Sequence, residues 1–231
     1  MGLLPQIAFA LMTGLAVWLF ARKVAAIRRN ILLGRDEEPG GTGTERLRNL
    51  LLQALGQRKM FRNPLAAIMH LVIYAGFIII NVEVLEIVLD GLLGTHRLFA
   101  PLLGAAYPVL INGFEILAAG VTGVCVVFLA RRNLLSIERF RSADLDGWPR
   151  RDANIILLAE IVLMFLFLTM NACDTLLQAR GVGHYAAHPT GDFVVSSVLY
   201  PLLAGLSDDA LTAVERICWW LHIAGILAFL N

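Results

Sequence analysis

The sequence predicts an all-α fold: an integral membrane five-helix bundle with its N-terminus outside. Three observations predict it. Of 231 residues, 58% are hydrophobic and 16% charged, with a mean hydropathy of +0.72. Soluble domains run nearer half apolar and a quarter charged. The apolar residues gather into five long runs, and the 19 Lys and Arg residues crowd the segments between particular runs. This composition excludes a disordered chain, a nucleic-acid-binding protein and an ordinary soluble enzyme. Cys125, Cys173 and Cys218 stand far apart without a CxxC, so neither a disulfide framework nor an iron–sulfur ligand set is legible.

The first run covers about 3–21 and ends at Arg22-Lys23. No basic region precedes it, so it is a span and not a cleavable signal peptide. The second covers about 64–88 and opens PLAAIMHLVIYAGFIII. The third, about 107–130, closes on Arg131-Arg132, and the fourth, about 153–177, follows Arg150-Arg151. Each provides the roughly 20 residues that a helix needs to cross the hydrocarbon core. The fifth, about 213–231, is still apolar at Asn231. Its helix is therefore expected to be truncated at the chain end, and the natural polypeptide to continue.

Charge orients the spans. The loop 22–63 carries ten Lys or Arg and the loop 131–152 carries six, against Arg97, Arg180 and Arg216 elsewhere. Under the positive-inside rule both basic loops are cytoplasmic. Within the first, DEEPGGTGT reads as a turn. Leu47, Leu50, Leu51, Ala54 and Leu55 then recur at helical spacing after Thr44, a candidate N-cap. This is an amphipathic helix expected on the inner membrane surface, with docking to a soluble subunit as its alternative. The connector 178–212 is long, with a short lid helix expected near 197–206. No repeat or low-complexity tract appears, so 1–231 reads as one transmembrane domain.

Ionisable groups inside spans are costly and mark function. Two of the five histidines qualify. His70 lies about six residues into the second span, so about 9 Å from its inner edge; His222 lies about nine into the fifth, about 14 Å from its outer edge. On antiparallel helices these depths are similar within the error of the boundaries, and two such imidazoles can clamp one haem iron from opposite faces. Tyr74, Phe77 and Asn81 share the helical face of His70; Glu215, Cys218, Ile226 and Phe229 share that of His222. Gly76 and Gly225 are small enough for close approach of a macrocycle edge. The alternative is that each histidine bonds a neighbouring helix. His96, His184 and His188 fall in outer loops and read as solvated.

The segments GQRKMFRNPLAAIMHLVIYAGF and ERICWWLHIAGILAFLN, set in five spans, resemble a known membrane group. It is the b-type cytochrome membrane domain of the respiratory nitrate reductase gamma-subunit type. The resemblance is strongest to the branch fused to, or paired with, heterodisulfide-reductase-like iron–sulfur proteins. It implies axial histidines on the second and fifth helices, and His70 and His222 match the pair for the haem nearer the outer side. It further implies haem b and a quinone substrate, menaquinone or ubiquinone. The implied partner is a cytoplasmic iron–sulfur protein or fused iron–sulfur domain, and the implied location the prokaryotic cytoplasmic membrane. A second haem in that group needs a ligand earlier on the second helix, where this chain has Met60, and another beyond Asn231. One haem is expected, and the second stays open.

Glu83, Glu86 and Asp90 form one face near the outer end of the second helix, roughly opposite His70. Glu115, Glu160, Asn171 and Asp174 add polar positions on the third and fourth. Glu86, Asp90 and Asp174 are expected to reach outer water as interfacial caps. Glu83, Glu115 and Glu160 are harder to leave unpaired and suit proton acceptance from a quinol. Trp148 and Trp219-Trp220 suit interfacial belts. No catalytic triad, phosphate loop or metal-ligand spacing is present. The expected function is electron transfer between the quinone pool and a cytoplasmic iron–sulfur partner. The competing reading is a non-redox anchor or transporter subunit whose histidines are structural or relay protons.

Overall fold

In the computed structural model the described residues are 2–35, 40–135, 147–187 and 189–231. Residues 36–39 of the expected turn, Arg139 and Arg141 of the second basic loop, and His188 lie outside them. Five helices are long and apolar enough to cross a membrane. No strand occurs among the described residues.

Helix α1, Leu3–Ile31, runs ten residues beyond the first apolar run, because Arg28 and Arg29 in its last turn suit the negative end of the helix dipole. Helix α2, Gly43–Asn49, is capped by Thr42, not by the expected Thr44. The reason is a capping box, which needs an acid three residues after the cap. Thr42 has Glu45 there, and Thr44 has Leu47. Thr42 N–H donates to Glu45 Oε2 at 2.8 Å, and Glu45 N–H donates back to Thr42 Oγ1 at 3.3 Å. A π-helical stretch, Leu50–Leu55, continues α2, and Leu47, Leu50, Leu51 and Leu55 are all more than half or about half exposed. The expected leucines are therefore exposed and not buried against the bundle among the described residues.

Helix α3, Pro64–Leu93, starts with Pro at its first position under an Asn63 cap and stops at Gly94, whose φ of 74° ends the helix in the left-handed region. A short turn, α4 (Ala100–Leu103), leads into α5 (Tyr107–Asn133), which ends on Arg131 and Arg132. Helix α6 is Trp148–Ala179. The connector after it holds a short helical segment near the expected 197–206, a 3-10 turn at Ser196–Leu199 that runs directly into α7 (Tyr200–Leu203). Helix α8 is Asp208–Phe229, with Ser207 as N-cap and Asp208 and Asp209 in its first turn. It begins more than one turn before the expected 213, because those caps and acids extend the helix past the apolar stretch.

The long helices close a ring: α3 packs on α5, α5 on α6 and α6 on α8, while α1 touches both α3 and α8. In lipid, association rests on close packing and polar contacts between helices, so small residues mark the seams. A Cβ on Gly76 would sit 2.6 Å from Val121, and one on Gly225 2.6 Å from Leu163. A Cβ on Gly91 would sit 2.5 Å from the Phe9 ring, which also packs on Trp219 with ring centroids 5.2 Å apart. Trp219 is thus buried at 4% exposure as a packing residue, whereas Trp148 at 69% keeps the exposure expected of an interfacial belt.

Candidate functional site

The cationic residues divide the bundle into a basic end, with Arg28, Arg29, Arg131, Arg132, Arg150 and Arg151, and a far end where acids dominate. At the far end the chain leaves α3 at Gly94 and folds back into the bundle, carrying Arg97 at φ 55°. That residue is 5% exposed. Its guanidinium binds Asp174 at 2.7 Å, Asn171 Oδ1 at 2.8 Å, and Glu83 Oε1 and the Tyr107 hydroxyl at 3.3 Å each. Burial opposes the charge, but the facing Tyr107, Asp174, Glu83 and Glu86 outweigh it and hold Arg97 protonated well above its ordinary value.

The acids around it fasten loops to helices. Asp90 accepts from the Arg97 and Leu98 N–H groups and the Thr95 hydroxyl; Glu86 accepts from Phe99 N–H and the Tyr107 hydroxyl. Glu115 of α5 accepts from Val195 N–H, Ser196 N–H and Oγ, and Asn171 Nδ2. Glu86, Asp90 and Asp174 are therefore buried and paired, not interfacial caps open to water. A loop crossing the apolar region must satisfy its amides internally, and these carboxylates do so. Glu160 is half-buried on α6, away from this group.

Beside the Arg97 network lies a second one. Glu215 of α8 accepts from the Tyr185 hydroxyl at 2.8 Å and pairs with Arg216. His96 approaches Asp174 at 3.4 Å and stacks edge-on against His184, centroids 5.0 Å apart. His184 is exposed as expected, but His96 is only partly so and belongs to the buried cluster. Burial, then the charges of His96 and Arg216, lower the His184 pKa below its ordinary value. Between the two networks is a small cavity lined by Glu83, Asp90, His96, Arg97, Asp174 and Glu215, with Ile87, Met170 and Trp219 on its apolar side.

His222 sits deeper, on the α6–α8 seam, and is 1% exposed. Its Nδ1 is 2.9 Å from the Leu163 carbonyl, which only accepts, so Nδ1 carries the hydrogen. Nε2 is then the lone-pair nitrogen, buried and without a hydrogen-bond partner. Phe167 lies beside the ring at a centroid distance of 6.0 Å.

His70, by contrast, is exposed on α3. Glu83 and Trp219 face the same cavity, with His70 thirteen residues from the one and His222 three from the other. At 1.5 Å per residue the imidazoles are offset along the bundle by about 15 Å. The similar depths expected from the apolar runs are not found: His70 lies near the basic end of the 30-residue α3, whereas His222 lies nearer the middle of α8. Nor does the structure join the neighbours into one pocket. Tyr74 donates to the Leu55 carbonyl at 2.8 Å, and Phe77 is 67% exposed. Asn81 donates to the Phe77 carbonyl. Gly76 and Gly225 admit Val121 and Leu163 of adjacent helices.

Arg97 and Tyr107 were not singled out by sequence reasoning as members of a site, and Glu215 was placed only on the helical face of His222. One signal pointed to Arg97: it is the sole Lys or Arg between Arg62 and Arg131, and it follows a helix end bearing three acids on one face.

Fold and site together define a multi-pass helical membrane protein with a buried ionic cluster at one end. Among proteins of known description, the chain is similar to the "Probable iron-sulfur-binding oxidoreductase FadF" of Bacillus subtilis, at 23% identity over 222 residues. The match covers 96% of this chain and 29% of that protein, so the chain spans less than a third of its relative's length. No protein-family profile and no solved structure matches the chain.

Proposed function

We propose that this chain is the membrane-embedded electron-transfer unit of an iron–sulfur oxidoreductase, of the b-type cytochrome kind named by the resemblance. The observation that carries the reading is His222: an imidazole inside a helical bundle, its tautomer set by a backbone carbonyl, its other nitrogen unpartnered. A second bond of this kind orients a ligating histidine and makes it more basic. The similarity to an iron–sulfur-binding oxidoreductase supports the redox context.

A haem b bound there supplies one-electron chemistry. His222 would hold the iron through Nε2, while its Nδ1 bond to the Leu163 carbonyl keeps the ring from turning and Phe167 packs beside it. His70 is the second proposed ligand, with Tyr74, Phe77 and Gly76 beside it on α3 and Gly225 beside His222. Menaquinone or ubiquinone enters from the bilayer as electron donor or acceptor. The basic end, cytoplasmic by the positive-inside rule, offers Arg and Lys side chains to an acidic iron–sulfur partner, either a separate protein or a fused domain. The membrane is then the prokaryotic cytoplasmic membrane.

The test is a reduced-minus-oxidised absorption spectrum of the purified protein after haem-replete expression. A haem b signal is expected in wild type and its loss in His222→Ala. No signal in wild type returns the chain to the non-redox reading. The 15 Å offset makes His70→Ala the sharper variant: loss supports a shared iron, whereas a surviving signal assigns the second ligand elsewhere.

A further inference from the structure

We propose that the small cavity at the far end is a proton-exchange site, in which Glu83 holds the proton and His96 with His184 connects it to outside water. The carboxylates around Arg97 are not equivalent. Glu86, Asp90 and Asp174 each have both oxygens engaged. Glu83 is 2% exposed, its Oε1 meets Arg97, and its Oε2 has no hydrogen-bond partner. A buried carboxyl oxygen left without a donor is costly. An O–H formed at that oxygen, directed to a water in the cavity, removes both the charge and the missing bond.

The surroundings favour such a proton. Glu83 faces Glu86 and Asp90 from its own helix, His96 and Arg97 from the loop after it, and Asp174 with Asn171 from α6. Tyr107 of α5 reaches the same guanidinium, with Glu115 behind Asn171, and α8 contributes Glu215 with Arg216. One guanidinium thus stands among several carboxyls, and an added proton relieves their repulsion. The way out is graded in exposure: Glu83 is buried, His96 partly exposed, and His184 open. His96 Nε2 meets Asp174 Oδ1 at 3.4 Å, and its ring abuts His184. Imidazole suits such a relay, since one nitrogen can accept while the other releases.

The step moves a proton and no electron. The Glu83 O–H forms as the imidazolium of His96 passes its proton through a cavity water, which is re-protonated as it gives one up; on release that O–H breaks, the proton returns to the His96 imidazole, and His184 hands it to outside water. The site does not depend on haem. Within the proposed function it offers protons from an oxidised quinol a path to the far side.

Infrared difference spectroscopy on the full chain in lipid vesicles tests this by pH titration and by exchange into D2O. A protonated-carboxyl C=O band is expected that titrates, shifts on deuteration, and is lost in Glu83→Gln. The same band in Glu83→Gln, or one that neither titrates nor exchanges, overturns the proposal. Should Glu83→Gln fail to insert, the exchange rate of the band in His96→Asn decides: slower exchange than wild type supports the path, and equal exchange overturns it. Because no haem signal is read, this outcome is separable from that of the cytochrome reading.

Discussion

Arg97 organises the far end because a single buried cation there holds side chains from α3, α5 and α6 together. Removing one partner of such a group leaves buried charge uncompensated, at a cost of about 3–5 kcal/mol. Arg97→Gln is therefore expected to lower stability by that order, read as a fall in thermal unfolding midpoint in mild detergent. His184 makes a weaker, pH-dependent contribution. Its pKa lies below the ordinary 6.5 in the folded chain, so the unfolded chain binds more protons in the interval between the two. Stability is then expected to fall as pH drops through about 6.5, and His184→Gln to flatten that dependence, checked by unfolding curves across the same pH range. Arg97 was legible as an isolated cation near acids, but its partner Asp174 lies 77 residues away, and no local pattern encodes that distance.

Among the elements, the seams between helices carry the specificity. Gly91 admits the Phe9 ring, and this contact brings α1 onto α3 beside Trp219 of α8. Gly91→Val is expected to destabilise by about 1–3 kcal/mol through overpacking. Phe9→Ala in the same background should recover part of the loss, which a double-mutant cycle of unfolding midpoints would measure. On α2, Thr42→Ala removes one half of the capping box and should cost about 1 kcal/mol of local helix stability, seen as faster amide exchange over Gly43–Asn49. The capping box is readable as T-x-x-E at Thr42 and Glu45, a pattern that Thr44 lacks. Hydrophobic periodicity located this helix; side-chain bonding placed its first residue.

For the whole molecule, the charge distribution predicts which ends face which side. Cys125, Cys173 and Cys218 are buried, so a single introduced cysteine can report accessibility over a low background. Gly2→Cys and Ala204→Cys should label from outside intact cells, and Gly41→Cys only after permeabilisation. The reverse pattern would invert the proposed docking side for the iron–sulfur partner. The five spans follow from hydropathy, a property of short windows, and so the sequence alone determined them; their crossing sense is the expectation that charge supplies and the labelling tests. Helix ends exceeded the apolar runs because caps and terminal charges extend a helix beyond its hydrophobic stretch. Only the tertiary structure decided which ionisable residues share an interior. Burial of Arg97 among four carboxylates, and of His222 apart from His70, depends on register between helices distant in sequence. That register is set by glycine seams and interhelical bonds, which act only once the helices have come together.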